Sequence, residues 1–316
     1  MGLLTKVKRN ALALDQTEPH PMVHVGPPAP LGNHSSPHFN ISHITEKLQT
    51  IIYENRLDYF YNPTRLQALI AKLTTIDFLS LSQQWNISQS LVPDLCSLAL
   101  YDIVFYVDDS GSMVFEENGE RIDDLKFILG KAAQVATLFD DDGVQIRFMN
   151  SDVYGEGIRT AEHVQNLVQS IRFSGMTPLG TFFKAKVLDP IVVGPAMSGS
   201  LSKPVLAVIV TDGEPTREPH DTLRTVITEA KQQLGLTPGG TGSLAIQIGQ
   251  VGTDLRAQMF LAELDNDPVI GNMIDCTSNY EMESAEIASH GHELSPELWL
   301  LKLCVGAIDR SYDDAD

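Results

Sequence analysis

Asp108, Ser110 and Ser112 stand two residues apart in Asp-Asp-Ser-Gly-Ser, directly after ten nearly all apolar residues, Leu98 to Val107. One carboxylate and two hydroxyls offer oxygen donors and no nitrogen or sulfur. Such a set suits Mg²⁺, Mn²⁺ or Ca²⁺ and disfavours Zn²⁺ or Cu²⁺. A second apolar run, Val205 to Val210, ends in Thr211-Asp212-Gly213 and so also delivers a carboxylate. The expected chemistry is the holding of a hard divalent cation.

Short, almost continuous apolar runs fit strands of a parallel sheet covered by helices on both faces, where in–out alternation is lost. Open α/β sheets place ligands at the carboxyl ends of their strands. The pattern that follows supports this frame. It predicts a helix over Arg121 to Phe139, a strand over Val144 to Met149, and a helix over Thr160 to Ile171. The loop Ser174-Gly-Met-Thr-Pro-Leu-Gly-Thr181 then opens a helix running to Asp189. After the strand ending at Asp212 come a helix to Leu234, a strand over Leu244 to Val251 and a helix over Asp254 to Leu264. A short strand over Asn272 to Cys276 and a closing apolar helix over Pro296 to Ile308 complete the chain. Strands alternating with helices predict an α/β fold with a doubly wound, mostly parallel, Rossmann-like sheet. Right-handed crossovers put the carboxyl ends of the parallel strands on one edge. Asp108 and Asp212 are therefore expected on the same side, although 104 positions separate them.

The domain reading is a disordered Pro/His-rich arm over 1–43, a helical extension over 44–97 packed on the main domain, and the main domain over 98–316. The arm rests on Pro21, Pro27, Pro28, Pro30 and Pro37 with scattered histidines and no sustained period. In the extension, Ile44, Leu48, Ile51 and Ile52 share one helical face, and Asn62-Pro63 reads as an N-cap with a first-turn proline.

The net charge of −19 argues against nucleic acid, since phosphate neutralisation needs a basic stripe. Between Tyr101 and Asn150 eleven acidic residues face four basic ones, most of them expected on a solvated surface. No apolar segment approaches the length of a transmembrane helix. Without a secretory signal, Cys96, Cys276 and Cys304 read as reduced thiols, and the expected location is cytoplasmic.

Together, Asp108-x-Ser110-x-Ser112, Thr177 in Gly-x-Thr-Pro-Leu-Gly and Thr211-Asp212-Gly213 resemble the von Willebrand factor A (vWA) domain and its metal-ion-dependent adhesion site. The resemblance covers roughly 98–276. The lead-in helices, Leu-Tyr-Asp-Ile-Val and the ending Leu-Trp-Leu-Leu-Lys…Gly-Ala-Ile-Asp-Arg-Ser-Tyr-Asp are similar to a group of intracellular fungal proteins of this class. It implies that the hydroxyls of Ser110, Ser112 and Thr177 hold a metal directly, with Asp108 and Asp212 acting directly or through water. It further implies that Mg²⁺, or Mn²⁺ or Ca²⁺, grips an Asp or Glu carboxylate of a partner protein. Asp109 is expected to turn away into a structural hydrogen bond, and Glu214 to lie at the rim. The function expected is a binding module and not an enzyme. Two alternatives stay open: a Mg²⁺-dependent phosphate-handling enzyme, although Ser110 stands where an aspartate-based phosphatase has its second Asp, and a scaffold with a purely structural metal.

Overall fold

The computed structural model describes residues 2–15, 41–115, 120–139 and 142–312. Its centre is a six-stranded sheet: β1 (Asp102–Val107), β2 (Val144–Phe148), β3 (Tyr154–Ile158), β4 (Val205–Thr211), β5 (Leu244–Gln250) and β6 (Ile274–Thr277), in the order β3-β2-β1-β4-β5-β6. All neighbours pair in parallel except the edge strand β3, which runs antiparallel to β2. The fold is thus α/β and doubly wound, as the alternating pattern predicts.

Each central strand is apolar throughout because both of its faces are covered. Ile103, Phe105, Val107, Leu206, Val208 and Val210 enter one core, with the helices Glu120–Phe139 and Pro296–Val305. Their alternates Val104, Tyr106, Val205, Ala207 and Ile209 enter the other, with Thr222–Leu234 and Leu255–Asp265. Burying each Val or Ile stabilises by roughly 1.5–3 kcal/mol, an upper estimate for a chain that is partly collapsed when unfolded.

The helices before β1 belong to the first core. Ile41–Glu54 buries Ile44, Leu48, Ile51 and Ile52, the face its spacing predicts. Pro63–Leu73 begins at Asn62, whose side chain accepts from the Arg65 N–H at 2.9 Å.

Three expectations are corrected, and two elements are added. Leu3–Asp15, placed in the disordered arm, is a helix that buries Leu3, Leu4 and Val7 against the first core; its short apolar stripe is interrupted by Lys6, itself buried. The rest of the expected arm, 16–40, lies outside the described residues. The run before Asp108 is strand only from Asp102, because Ser97–Leu100 forms a 3₁₀ turn. The helix beginning at Leu179 does not end at Asp189 but continues to Ser198, with wide π-type turns at Lys184–Val193 that accommodate Pro190. The strand β3 and the helix Tyr280–Ser289 were not foreseen. No helix among the described residues is long and apolar enough to cross a membrane.

Candidate functional site

The register of β1 on β4 builds the site. Val107 lies opposite Val210, and the next step of the ladder is the Asp108 N–H donating to Val210 O at 2.9 Å. Asp108 therefore leaves the sheet beside Thr211, whose hydroxyl donates to Asp108 Oδ2 at 2.8 Å. Asp108 Oδ1 accepts from the Ser110 N–H at 2.9 Å, which folds the chain back over the strand end. Ser110 and Ser112 hydroxyls are then 3.0 Å apart, and Ser112 Oγ donates to Asp212 Oδ1, also at 3.0 Å. Asp108, Ser110, Ser112 and Asp212 are thus linked in one row at the carboxyl edge of the sheet, Asp108 to Ser110 through the backbone N–H and the others through side-chain oxygens.

Thr177 reaches the same edge on a separate loop. The Gly111 N–H donates to Gly175 O at 3.3 Å and the Ser174 N–H to Asp109 O at 2.8 Å, which seats this loop against the serine turn. Thr177 is held from its other side by Thr216. The Thr177 N–H donates to Thr216 Oγ1 and the Thr216 N–H to Thr177 O, both at 2.8 Å. Just beyond, the Glu218 carboxylate accepts from the N–H groups of Gly180 and Thr181 at 2.7 and 2.9 Å, fixing the helix start that follows Pro178. Gly175 has φ +107°, and a Cβ there would meet Asn150 Oδ1 at 2.7 Å, so this turn needs glycine.

Asp109 is turned toward the β2 end. Its Oδ1 accepts from the Asn150 N–H at 2.6 Å and its Oδ2 from the Ser151 N–H at 2.8 Å. Asn150 in turn donates through Nδ2 to Met176 O at 3.0 Å. Asp109 therefore ties the β1, β2 and Thr177 loops together. Glu214 is partly exposed at the rim, with Arg256 Nη1 at 3.7 Å.

The electrostatics are unbalanced. Asp108, Asp109 and Asp212 are all buried. Burial, followed by repulsion from Asp212, pushes the Asp108 carboxyl up to about 7, against the opposing hydrogen bonds of Ser110 and Thr211. Sequence reasoning missed a cation that answers Asp212. Arg121, 3% exposed in the first turn of the helix Glu120–Phe139, donates through Nη1 to Asp212 Oδ2. Gly252 backs this guanidinium so closely that a Cβ there would collide with Arg121 Nε. Its only signal was a lone arginine opening an otherwise amphipathic helix.

Among the described residues no three His, Cys, Asp or Glu side chains gather as a metal cluster. The donors here are instead two carboxylates and three hydroxyls. All are oxygen donors, the chemistry that suits a hard cation; Asp108, Ser110, Ser112 and Asp212 are brought together by hydrogen bonds, while Thr177 is buried on the neighbouring loop. Three apolar side chains are exposed nearby: Phe115, 84% exposed, lies over Gly111, and Val114 and Met176 are close in sequence to Ser112 and Thr177. No family model matches the chain, and no curated protein matches it.

Proposed function

We propose that the chain is a vWA-type binding module in which Asp108, Ser110, Ser112, Thr177 and Asp212 hold Mg²⁺, or Mn²⁺ or Ca²⁺, and so capture a carboxylate of a partner protein. The observation that carries this reading is the hydrogen-bonded row Asp108–Ser110–Ser112–Asp212, assembled from two strand ends 104 positions apart. A bound cation supplies Lewis acidity and a coordination position for one further oxygen. The protein's own residues do the rest. Asp109 fixes the loops, Thr216 fixes Thr177, and the three hydroxyls contribute oxygens without adding negative charge. The exposed Phe115, Val114 and Met176 supply apolar area near the site that a bound protein would cover.

The test is calorimetric titration of the purified chain with Mg²⁺, beside the double variant Asp108→Ala, Ser110→Ala. The wild type is expected to bind one ion and the double variant none. Equal binding by the two proteins defeats the reading.

A further inference from the structure

We infer that the protein holds a small phosphate monoester at the amino edge of the sheet, opposite the edge that carries Asp108 and Asp212; the inference does not depend on the metal-site reading. A cavity of about 370 Å³ lies there, and its wall includes Tyr101, Leu244 and Met273, which begin or directly precede β1, β5 and β6. These strands run parallel within the sheet, so their starts share one edge. Arg56, Lys231 and Arg310 line the same cavity, and Glu54 is the one carboxylate among the lining residues. The chain as a whole has 41 acidic and 22 basic residues. A cleft in which cations outnumber acids therefore runs against the composition of the protein.

The cations are set in place without being neutralised. Lys231 Nζ donates to Val269 O and, at 2.8 Å, to Asn272 Oδ1, both uncharged acceptors. Among the described residues neither Arg56 nor Arg310 forms an ion pair. Arg56 also stands where the backbone favours glycine. It follows the helix Ile41–Glu54 at φ +56°, and its N–H donates to Tyr53 O at 3.3 Å while the Leu57 N–H donates to Ile52 O at 2.8 Å, the paired bonds that close a helix. Such backbone is strained for a residue with a Cβ. Gly242 fixes this turn, since a Cβ there would stand 2.5 Å from Asn55 O and 2.9 Å from Arg56 O. What arginine adds over glycine at this place is a guanidinium at the cavity. Guanidinium matches phosphate through paired N–H groups, and Lys231 and the Thr241 hydroxyl add further donors. A phosphate monoester brings a charge of about −1.5 to −2 at neutral pH and three acceptor oxygens, enough to engage several donors at once. A carboxylate brings one charge and two oxygens. Leu244, Met273 and Ala307 give the cavity an apolar wall for the organic part of the ligand, in a volume typical of small-molecule pockets.

The experiment is calorimetric titration of the full chain with phenyl phosphate, inorganic phosphate and benzoate, in EDTA throughout so that no divalent ion takes part. The wild type is expected to bind phenyl phosphate in the millimolar range or tighter. Inorganic phosphate should bind less tightly, because it leaves the apolar wall uncovered, and benzoate least. Arg56→Gly is the sharpest variant: glycine suits φ +56°, so the guanidinium is removed from a protein that should be no less stable. Arg56→Gly and Arg310→Gln should each weaken phenyl phosphate binding about tenfold, the loss of one hydrogen bond to a charged group. Lys126→Gln removes a cation outside the cavity, on the helix Glu120–Phe139, and should leave binding unchanged. Urea unfolding verifies that each variant is folded. If the wild type binds no phenyl phosphate, or if either folded cavity variant binds it as the wild type does, the inference is overturned. Equal affinity for inorganic phosphate or benzoate would overturn the assignment to a phosphate monoester.

Discussion

Two of the buried groups of charges among the described residues are built on opposite principles. In one, Lys6 and Lys47 meet Asp94 and Asp309. Lys6 Nζ lies 2.8 Å from Asp94 Oδ2 and 3.9 Å from Asp309 Oδ2, Lys47 Nζ lies 3.2 Å from Asp94 Oδ1 and also bonds Asp309, and the Tyr312 hydroxyl donates to Asp94 at 2.8 Å. Two ammonium groups answer two carboxylates, and every member comes from a different segment. In the other group, at the carboxyl edge of the sheet, Asp108, Asp109 and Asp212 are all buried, and Arg121 bonds Asp212. The balanced group holds Asp309 below the usual carboxyl range: burial pushes it up, but Lys47 and Lys6 outweigh burial. The unbalanced group drives Asp108 the other way. A closed set of charges fastens chain segments together; an open one stores unfavourable repulsion that a further cation relieves.

Breaking the balanced group should produce the largest loss of stability. Asp309→Asn leaves the Lys47 and Lys6 ammonium groups short of a partner in a mostly dry setting, at a cost on the order of 3–5 kcal/mol. A lower urea midpoint at pH 7 with unchanged slope is the expected result. The pH profile follows from the signs. Asp309 is depressed when folded, so its contribution is complete above the unfolded carboxyl value of about 4 and is lost as pH falls through its lower folded value. Lys47 is raised by Asp94 and Asp309 against the opposing effect of burial, so its contribution is complete below about pH 10 and is lost as pH rises through its folded value. Asp309→Asn should accordingly flatten the acid limb of the stability curve.

The same substitution in the unbalanced group should act differently. In Asp108→Asn, Oδ1 still accepts from the Ser110 N–H, and the new amide group faces the Thr211 hydroxyl, which rotates to accept. Repulsion with Asp212 disappears at the same time. Stability in EDTA should therefore change by no more than about 1 kcal/mol in either direction. What vanishes is stabilisation by Mg²⁺, which in the wild type should reach about 2.7 kcal/mol at a hundredfold excess over Kd. Thermal unfolding of both proteins with Mg²⁺ or EDTA measures the difference. A loss in EDTA as large as that of Asp309→Asn would erase the distinction between the two groups.

That distinction was half legible in the sequence. The apolar strands before Asp108 and Asp212, and the sheet edge they share, follow from period and crossover handedness, which are local or general properties. The balanced group was invisible, because its members lie at positions 6, 47, 94 and 309 and no short-range pattern links them. Lys6 sits in a short helix whose buried apolar residues, Leu3, Leu4 and Val7, do not continue as a sustained period before the proline-rich segment. The edge strand β3 escaped for another reason: Tyr-Gly-Glu-Gly-Ile has two glycines and weak alternation, and only its pairing with β2 makes it a strand. Arg121 shows the general difficulty. One helical arginine in a stretch with eleven acids is unremarkable in the sequence until the fold closes it on Asp212.

The smallest effect concerns the rim, where charge is exposed and neither group's logic applies in full. Glu214 faces Arg256 at 3.7 Å, with both side chains largely in solvent. Such a pair contributes about 0–1 kcal/mol, so Glu214→Gln should leave the unfolding midpoint nearly unchanged. Its negative charge stands two residues from Asp212 and opposes the approach of an acidic ligand. Glu214→Gln should therefore speed the association of an acidic peptide with the Mg²⁺-loaded protein at low salt. Exposed charges are screened over about 8 Å at physiological ionic strength, so the gain should shrink to less than about twofold there. Stopped-flow association rates at two salt concentrations give the comparison. Identical salt dependence in Glu214→Gln and the wild type would assign the opposition to the buried carboxylates, whose field salt screens much less.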